Sequence, residues 1–356
     1  MSLARAARRA PSAAAVLWRL RRGRAAIASV NLLNRCNQAC PMCSVHASPD
    51  HALTLADLAS AFRALRAGGV RIVELSGGEP FLRRDLPEVI ALADREGLLF
   101  TFNTNATALT EPGLRALAGA RGLLQVAVSL DSLDRERYAR LRGRDLLDRA
   151  LAGLDRLRGA GLGAPLKLNV AVSRHNVAEV PALLAFARQR GLFLSAFPVN
   201  QGPGAHRSDS GAFAAEAPER QAIAAAFDDL ARRRSRGEPL WEPSGFYRAA
   251  ARFVRGEPLA PCGAGRLYLD LRADGSVAPC VELPAVARVE DLASGRAWEA
   301  LSAAQGAVAA CRRDTPCCYT CTVSLAESGR RPIAFAAEGA LVMLRARARA
   351  ILGARG

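Results

Sequence analysis

The chain has almost no lysine and few aromatic side chains. Of its 49 basic residues only Lys167 is a lysine, and Phe, Trp and Tyr make up 5% of the 356 residues. The formal net charge of +16 is therefore carried by arginine, which reflects a GC-rich coding bias as much as selection for a basic surface. Proteins that bind single-stranded nucleic acid stack bases on aromatic rings beside basic residues. Because the arginines here are scattered along helical stretches, the sequence argues against a nucleic-acid partner.

Long apolar runs and a secretory signal are also lacking. A membrane-spanning helix needs roughly 18 consecutive apolar residues, and the sequence contains no such run. The apolar stretch at residues 13–18 continues into RLRRGR and not into a small-residue cleavage site. With nine cysteines and no export signal, a reducing compartment and metal ligation are favoured over a disulfide framework. We therefore expect a cytoplasmic chain.

Acidic residues are absent from the first 49 positions, so residues 1–27 form a basic arm. Val16, Leu20 and Ile27 share a helical stripe beside arginines, and LVMLRARARAIL within residues 331–356 mixes leucine and arginine similarly. Basic amphipathic helices bind anionic membranes, although such a stripe more often packs on its own domain. The two segments are candidates for peripheral membrane contact. The Arg- and Ala-rich start is also typical of a mitochondrial transit peptide.

Short apolar runs alternate with helical patterns from residue 28 to about 236, which is typical of βα units around a parallel sheet. Thr54 with Asp57 gives one of the helix-start signals between the runs. The six strand candidates are residues 28–34, 71–76, 99–104, 123–130, 167–173 and 192–199. Ligands gather at the carboxyl ends of parallel strands in both barrels and open sheets. The polar residues of this chain are concentrated there.

The first strand is followed by three cysteines within the eight residues CNQACPMC, 36–43. The C-x3-C-x2-C spacing of Cys36, Cys40 and Cys43 differs from the paired C-x2-C or H-x3-H elements of structural zinc sites. A cubane cluster held by three thiolates keeps one iron open for a substrate or cofactor. A zinc site, with His46 or His51 as the fourth ligand, and a set of free buried thiols are the alternatives.

Polar segments also follow the next three strands. They are Ser76-Gly77-Gly78-Glu79-Pro80, Asn103-Thr104-Asn105 and Ser129-Leu130-Asp131. Each segment alone is ordinary turn or helix-start chemistry. Together with the cysteine loop they place four polar segments at one rim of the predicted sheet, which indicates a site.

The C-x3-C-x2-C loop after the first strand and the GGEP segment after the second are the two main marks of the radical S-adenosylmethionine (radical SAM) superfamily. Residues 28–236 resemble this superfamily. The resemblance implies an α/β fold with a partial (β/α)6 TIM-like barrel. It also implies that Cys36, Cys40 and Cys43 hold three irons of a 4Fe–4S cluster, whose fourth iron is chelated by the methionine moiety of SAM.

The same resemblance implies which residues contact the methionine moiety. Gly77, Gly78 and Glu79 would receive its amino group, since a glycine pair exposes backbone carbonyls at close range. Arg142, in the LRG segment, would pair with its carboxylate.

Three further positions are assigned to SAM by resemblance. Thr104 and Ser129 match positions that contact the ribose or the methionine moiety. The residue before the third cysteine is usually aromatic in the family and lies against the adenine, whereas here it is Met42. A thioether can fill the same space, so we expect a weaker adenine contact at this position.

Beyond residue 240 the βα pattern stops and six further cysteines follow. Cys262 and Cys280 flank a segment in which Ala273-Asp274-Gly275 predicts a hairpin turn. Cys318-Tyr-Thr-Cys321 comes later. This arrangement resembles the auxiliary-cluster extension of many radical SAM enzymes, which would form a small cysteine-rich domain over residues 237–330.

Two versions of that extension are known. The fuller, SPASM-type version has a C-x2-C-x5-C-x3-C run, in which Cys311, Cys317 and Cys321 fit the last three places. Val308 occupies the first place of that run, so two complete auxiliary clusters are not expected.

The shorter, twitch-type version has C-x17-C followed by C-x2-C. The cysteines that match it are Cys262, Cys280, Cys318 and Cys321. We therefore predict one auxiliary 4Fe–4S cluster on these four residues, with Cys311 and Cys317 spare or one of them replacing Cys318. A zinc ribbon with the same four thiols is the alternative.

The resemblance implies an enzyme in which electron transfer to SAM gives methionine and a 5′-deoxyadenosyl radical, which abstracts hydrogen from an unactivated carbon. An electron donor such as flavodoxin or ferredoxin would be the partner. The 27 residues before the first strand are too few for the leader-binding module of peptide-modifying members, which favours a small-molecule or lipid substrate over a ribosomally made peptide. A rival from another class is a non-enzymatic zinc protein with a basic partner-binding surface.

Overall fold

Six parallel strands, each beside its neighbour in sequence, form the centre of the molecule. The computed structural model describes residues 15–16, 18–201, 207–208, 211–320, 323–324, 337–338 and 341. The strands are β1 Ile27–Asn31, β2 Ile72–Ser76, β3 Leu99–Thr104, β4 Leu123–Ser129, β5 Leu166–Val172 and β6 Phe193–Pro198. All six predicted strands overlap them, and residues 99–104 match β3 residue for residue. The predicted α/β arrangement is confirmed.

Helices return the chain between these strands. They are α1 Leu55–Ala67, α2 Leu86–Arg95, α3 Glu111–Gly119, α4 Arg135–Arg142, α5 Leu147–Gly159 and α6 Val180–Gln189. Short 3-10 turns occur at Val45–Ala47, Pro80–Leu82 and Val177–Glu179. The predicted start of α1 is confirmed, because the Thr54 side chain accepts from Asp57 N and the Asp57 side chain accepts from Thr54 N. Such a cap is worth about 0.5–2 kcal/mol.

The two faces of the strands have different surroundings. Residues such as Val30, Leu75 and Phe102 are fully buried and belong to the main hydrophobic core. Their neighbours Asn31 and Glu74 line a cavity on the other face, as the two-residue period of a strand requires. Because residues from β1 through β6 line this one cavity, the sheet curls around it as a partial barrel.

The C-terminal part of the chain extends the same sheet. Strand β9, Tyr268–Leu271, pairs parallel with β1. Strand β10, Ser276–Ala278, pairs antiparallel with β9, and β11, Ala287–Arg288, pairs antiparallel with β10. Within the described ranges the sheet has nine strands in the order β11-β10-β9-β1-β2-β3-β4-β5-β6. Two short strands, β7 Asn200–Gln201 and β8 Arg207–Ser208, pair separately. Strand β1 is therefore an interior strand of the molecule.

The predicted hairpin turn is present between β9 and β10. Gly275 has a φ of +82°, a conformation that glycine adopts without a steric penalty. Asp274 accepts from Ser276 N at 2.9 Å and so fixes the turn. The cysteine-rich segment predicted for residues 237–330 thus contributes strands to the barrel sheet.

Five helices accompany this C-terminal part among the residues that the structure describes. They are α7 Ala217–Ser235, α8 Ser244–Val254, α9 Glu290–Ser294, α10 Arg296–Ala303 and α11 Gln305–Asp314. Helix α7 ends beside the predicted domain boundary at residue 236, and it packs against α8. Helix α11 carries Cys311 and leads into the segment with Cys317 and Cys318.

The basic N-terminal arm is attached to the barrel where the structure describes it. Arg19 Nε donates to Ala25 O at 2.8 Å, and its Nη2 donates to Gly68 O at 2.7 Å. Ile27 begins β1, so it does not continue the predicted apolar stripe of a helix. The C-terminal segment LVMLRARARAIL, the second candidate for membrane contact, lies outside the described residues except at residue 341. Among the described residues, no helix combines the length and the hydropathy needed to cross a membrane.

Candidate functional site

One cavity collects most of the predicted site residues at the carboxyl ends of the strands. Its volume of about 320 Å³ lies at the lower end of the range for ligand pockets, roughly 300–1,000 Å³. The cysteines that line it come from both predicted sets: Cys36, Cys40, Cys43, Cys262, Cys280, Cys311 and Cys317. Tertiary folding therefore brings two sets of cysteines, more than 200 residues apart in sequence, to one cavity.

The GGEP segment holds the start of the cysteine loop through its backbone. Gly78 N donates to Leu33 O at 2.7 Å, and Glu79 N donates to Arg35 O at 3.0 Å. A Cβ atom at Gly78 would lie 2.1 Å from Arg35 O, which is too close for any side chain. Gly77 and Gly78 line the cavity as predicted, and the structure adds that Gly78 is needed for this close approach.

The end of α4 holds the middle of the cysteine loop. Ala39 N donates to Arg142 O at 3.3 Å, and the Cys40 thiol lies 3.6 Å from the same oxygen. Gly143 ends α4 with a φ of +70°, and a Cβ atom there would lie 2.1 Å from Ala39 O. The LRG segment thus positions Cys40 by direct backbone contact.

Amide side chains that the sequence analysis did not single out complete the loop. Gln38 Nε2 donates to Tyr138 OH at 2.8 Å, and Asn105 Nδ2 donates to Asn37 Oδ1 at 2.8 Å. Asn37 Nδ2 in turn donates to Thr107 Oγ1 at 2.8 Å. The only sequence signal for Asn37 and Gln38 is their position between the first two cysteines.

Glu79 is fully buried and lies outside the cavity lining. Its carboxylate accepts from Thr104 Oγ1 at 2.7 Å, from Asn105 N at 2.7 Å and from Phe81 N at 3.1 Å. Burial raises the pKa of Glu79 to about 7, against the opposing effect of these three hydrogen bonds. The Glu79 side chain ties the end of β2 to the end of β3. The contact of the Gly77-Gly78-Glu79 segment with the methionine amino group stays a prediction.

Arg142 reaches the cavity and is paired within the protein. Its Nη2 lies 2.8 Å from Oδ2 of the buried Asp131, whose Oδ1 accepts from Ala171 N at 2.7 Å. Burial is the largest single influence on the pKa of Arg142 and lowers it, but the charges of Asp131, Cys40 and Tyr138 together outweigh burial, so the net shift is upward. Burial raises the pKa of the Cys36 and Cys40 thiols, that of Cys40 to about 11, and the Arg142 charge opposes both shifts. A SAM carboxylate would share this guanidinium with Asp131.

Thr104, Ser129 and Met42 all line the cavity, where sequence analysis placed them. The Thr104 hydroxyl is engaged, since it donates to Glu79 Oε1 and accepts from Ala106 N at 2.9 Å. Met42 is 9% exposed and packs in a small apolar cluster with Cys40. The roles of these three side chains toward SAM stay predictions.

The cysteines of the second set have two different surroundings. Cys262, Cys280, Cys311 and Cys317 line the cavity. Cys318 is fully buried in the main hydrophobic core, and its backbone N–H donates to Asn200 Oδ1 at 2.8 Å. The structure therefore brings Cys262 and Cys280 to one space as predicted but does not add Cys318, and Cys321 lies outside the described residues.

The thiols are arranged more openly than ligands of a single ion. Across the described part of the chain, no three His, Cys, Asp or Glu side chains are grouped so that they could hold one metal ion. Zinc binds each thiolate at about 2.3 Å from one centre, whereas the thiolates of a cubane bind different irons. Three loop thiols facing a shared cavity beside the Arg142 cation fit a cluster of that kind.

The fold and the thiol-lined cavity define a partial TIM-like barrel with a cysteine-held cofactor site at its strand ends. Residues 30–187, less than half of the chain, match the family model described as the radical SAM superfamily, so this part of the chain is a radical SAM domain. The prediction made from the cysteine loop and the GGEP segment is confirmed. Members of the superfamily use a 4Fe–4S cluster and SAM, so the first two predicted cofactors are those of the family.

Curated relatives include enzymes with different substrates in their names. A GTP 3',8-cyclase of Paenarthrobacter nicotinovorans is 44% identical over 126 residues, 35% of each chain. A PqqA peptide cyclase of Xanthomonas campestris pv. campestris (strain B100) is 36% identical over 166 residues, 46% of this chain and 43% of the relative. The chain spans about half, or less, of the length of the curated relatives it matches.

Solved structures share the fold at low identity. Streptococcus suis SuiB bound to S-adenosylmethionine matches with a TM-score of 0.62 and 18% identity, over 77% of this chain and 65% of that chain. Native anSMEcpe with bound AdoMet and Cp18Cys peptide matches with a TM-score of 0.59 and 14% identity, over 77% of this chain and 80% of that chain. Both matches extend beyond the barrel residues of the family match.

Proposed function

We propose that this protein is an enzyme that reductively cleaves SAM and uses the resulting 5′-deoxyadenosyl radical to abstract hydrogen from a small organic substrate. The observation that carries the proposal is the set of three loop thiols, Cys36, Cys40 and Cys43, facing one cavity inside a radical SAM barrel. When bound there, a 4Fe–4S cluster supplies the single electron that breaks the sulfonium bond of SAM.

The protein's own residues position and protect this chemistry. The GGEP backbone and the end of α4 fix the cysteine loop on two sides, so the three thiols are held before the cofactor binds. The Arg142 cation favours the thiolate forms of Cys36 and Cys40, which are the forms that bind iron. Met42 and its apolar neighbours shield this end of the cavity from water.

Polar side chains of β1, β2 and β9 lie together in the lining of the cavity. Strand β1 lies between β2 and β9, and Ser29 is in register with both Glu74 and Asp270. All three residues line the cavity. Asn31 donates to Asp270 Oδ1 at 3.0 Å, and Asn103 donates to Glu74 Oε1 at 2.5 Å. These side chains offer hydrogen-bond partners to a compact substrate with hydroxyl or amino groups. A peptide substrate is the second candidate because peptide cyclases are among the relatives.

Two partner roles complete the proposal. A one-electron donor such as flavodoxin or ferredoxin would reduce the cluster. Peripheral membrane contact through the N-terminal arm rests on the exposed Trp18, whose ring lies 4.5 Å from the Arg22 guanidinium. An aromatic ring beside a cation is typical of residues at a membrane surface.

SAM cleavage tests the central proposal. Anaerobically reconstituted protein with dithionite and SAM should release 5′-deoxyadenosine, measured by liquid chromatography with mass detection. Replacing Cys36, Cys40 or Cys43 by Ala should abolish the release, because two thiolates do not retain a cluster with one open iron. Cys318→Ala is the matched control and should keep the activity, since Cys318 lies outside the cavity. Cleavage that persists in the triple Cys→Ala variant would refute the proposal.

A further inference from the structure

We propose that the auxiliary cluster is held by Cys262, Cys280, Cys311 and Cys317, and that Cys318 is a packing residue of the hydrophobic core. This inference rests on the proposed function and specifies its second cofactor site. It differs from the C-x17-C and C-x2-C spacing in the sequence, which selects Cys318 and Cys321 and not Cys311 and Cys317. The four proposed residues are those of the C-terminal cysteines that the structure describes in the cavity lining.

The hairpin brings the first two thiols together. Gly265 N donates to Pro279 O at 3.1 Å, which joins the segments next to Cys262 and Cys280. Both cysteines pack in one small apolar cluster with Tyr268. The pair is thus set by the β9–β10 connection, independently of where the later cysteines lie.

The Arg312 side chain brings the later cysteines to this pair. Its Nε donates to Ala260 O at 2.9 Å, two residues before Cys262, and its Nη1 donates to Cys317 O at 2.7 Å. One guanidinium therefore links the backbone that carries Cys262 to the backbone that carries Cys317. Cys311 precedes Arg312 in the last turns of α11 and enters the same cavity.

Cys318 has different surroundings from its neighbour. It is fully buried, whereas Cys317 is 9% exposed and faces the cavity. It belongs to the main hydrophobic core, and its backbone N–H donates to Asn200 Oδ1 at 2.8 Å. Free cysteine behaves as a small apolar residue in such places.

Because both thiol sets line one cavity, the auxiliary cluster would face the same substrate as the loop cluster. One electron could then pass between the substrate and this second centre without leaving the cavity.

Adjacent cysteines give a matched pair of variants for the test. The experiment reconstitutes four proteins anaerobically: the wild type, Cys311→Ala, Cys317→Ala and Cys318→Ala. Iron and sulfide per chain are measured for each protein, and the electron paramagnetic resonance spectrum of the reduced clusters is recorded. We expect about eight irons in the wild type and about four in Cys311→Ala and Cys317→Ala. Cys318→Ala should keep about eight irons and lose only thermal stability.

The outcomes separate this inference from the proposed function. Cys318 would be a ligand in place of Cys317 if Cys318→Ala lost the spectrum of the auxiliary cluster while Cys317→Ala kept about eight irons, and the assignment would be wrong. If Cys311→Ala kept about eight irons, Cys311 would not be a ligand. Cys318→Val, which preserves apolar packing, replaces Cys318→Ala if that variant does not fold. A wild type that binds both clusters but cleaves no SAM refutes the proposed function and leaves the ligand assignment standing.

Discussion

Glu79 shows how a motif residue can support the site without entering it. Its carboxylate is fully buried and accepts three hydrogen bonds that join the ends of two neighbouring strands. The backbone of the same residue holds Arg35 at the start of the cysteine loop. A buried carboxylate with neutral donors alone is costly to ionise, so this residue connects the stability of the site to pH.

We predict that Glu79 stabilises the fold more at low pH than at neutral pH. Its pKa rises from 4.5 to about 7 on folding, so between these values the folded protein holds a proton that the unfolded chain has released. Stability from this group is therefore greatest below pH 4.5 and declines as pH rises through 7. The difference in unfolding free energy between wild type and Glu79→Gln should fall by on the order of 1–3 kcal/mol between pH 5 and 7.5 in urea titrations.

The exposed Glu88 of α2 provides the control for this experiment. Glu88→Gln should differ from the wild type by the same small amount at both pH values, since surface substitutions rarely exceed about 0.5 kcal/mol. A pH-independent difference for Glu79→Gln would show that its carboxyl group titrates normally in the folded protein.

At the scale of elements, the cysteine loop is positioned by the ends of its neighbours and not by its own secondary structure. Strand β1 leads into it, the GGEP turn after β2 holds its first residues, and the C-terminus of α4 holds its middle. Each contact is a backbone hydrogen bond at a glycine-containing turn. The loop therefore keeps its shape only while these elements keep their spacing.

Gly143→Ala should disrupt cluster binding, whereas Gly161→Ala should not. Both glycines have a left-handed backbone, with φ of +70° and +66°, so each alanine costs about 1–2 kcal/mol in strain. Only at Gly143 would the new Cβ also collide with Ala39 O in the cysteine loop, since nothing lies within 4 Å at Gly161. Iron content after reconstitution measures the difference, and equal iron in the two variants would contradict it.

At the scale of the whole molecule, the C-terminal hairpin and the barrel form one sheet. Strand β9 covers the side of β1 opposite β2. The hairpin thereby places Cys262 and Cys280 in the lining of the same cavity as the cysteine loop. The barrel and the cysteine-rich segment are therefore expected to unfold together.

Hydrogen exchange can test this continuity. Amides of β1 should exchange as slowly as those of β2 and β3, because β1 is paired on both sides. Leu271→Ala, at a fully buried position of β9, should cost about 2–5 kcal/mol and reduce the protection of β1 as well as of β9. Val286→Ala, at a position 37% exposed, should leave both unchanged. Loss of protection confined to β9 would indicate separate folding units.

The sequence by itself determined the class of fold and the family. Alternation of apolar runs and helical patterns gave all six barrel strands, and the spacing of Cys36, Cys40 and Cys43 with the GGEP segment identified the superfamily. These signals are local, because strand period, turn chemistry and motif spacing are properties of neighbouring residues. The hairpin turn at Ala273-Asp274-Gly275 was predictable for the same reason.

Only the tertiary structure decided which side chains meet. Sequence spacing favoured Cys318 over Cys317 as a cluster ligand, yet Cys318 lies in the core and Cys317 lines the cavity. The motif likewise did not show that the Glu79 carboxylate turns inward. A side chain's direction depends on the backbone path and on the packing of distant elements, such as Arg312 binding backbone carbonyls on two separate segments. That information exists only once residues far apart in the chain are brought into contact.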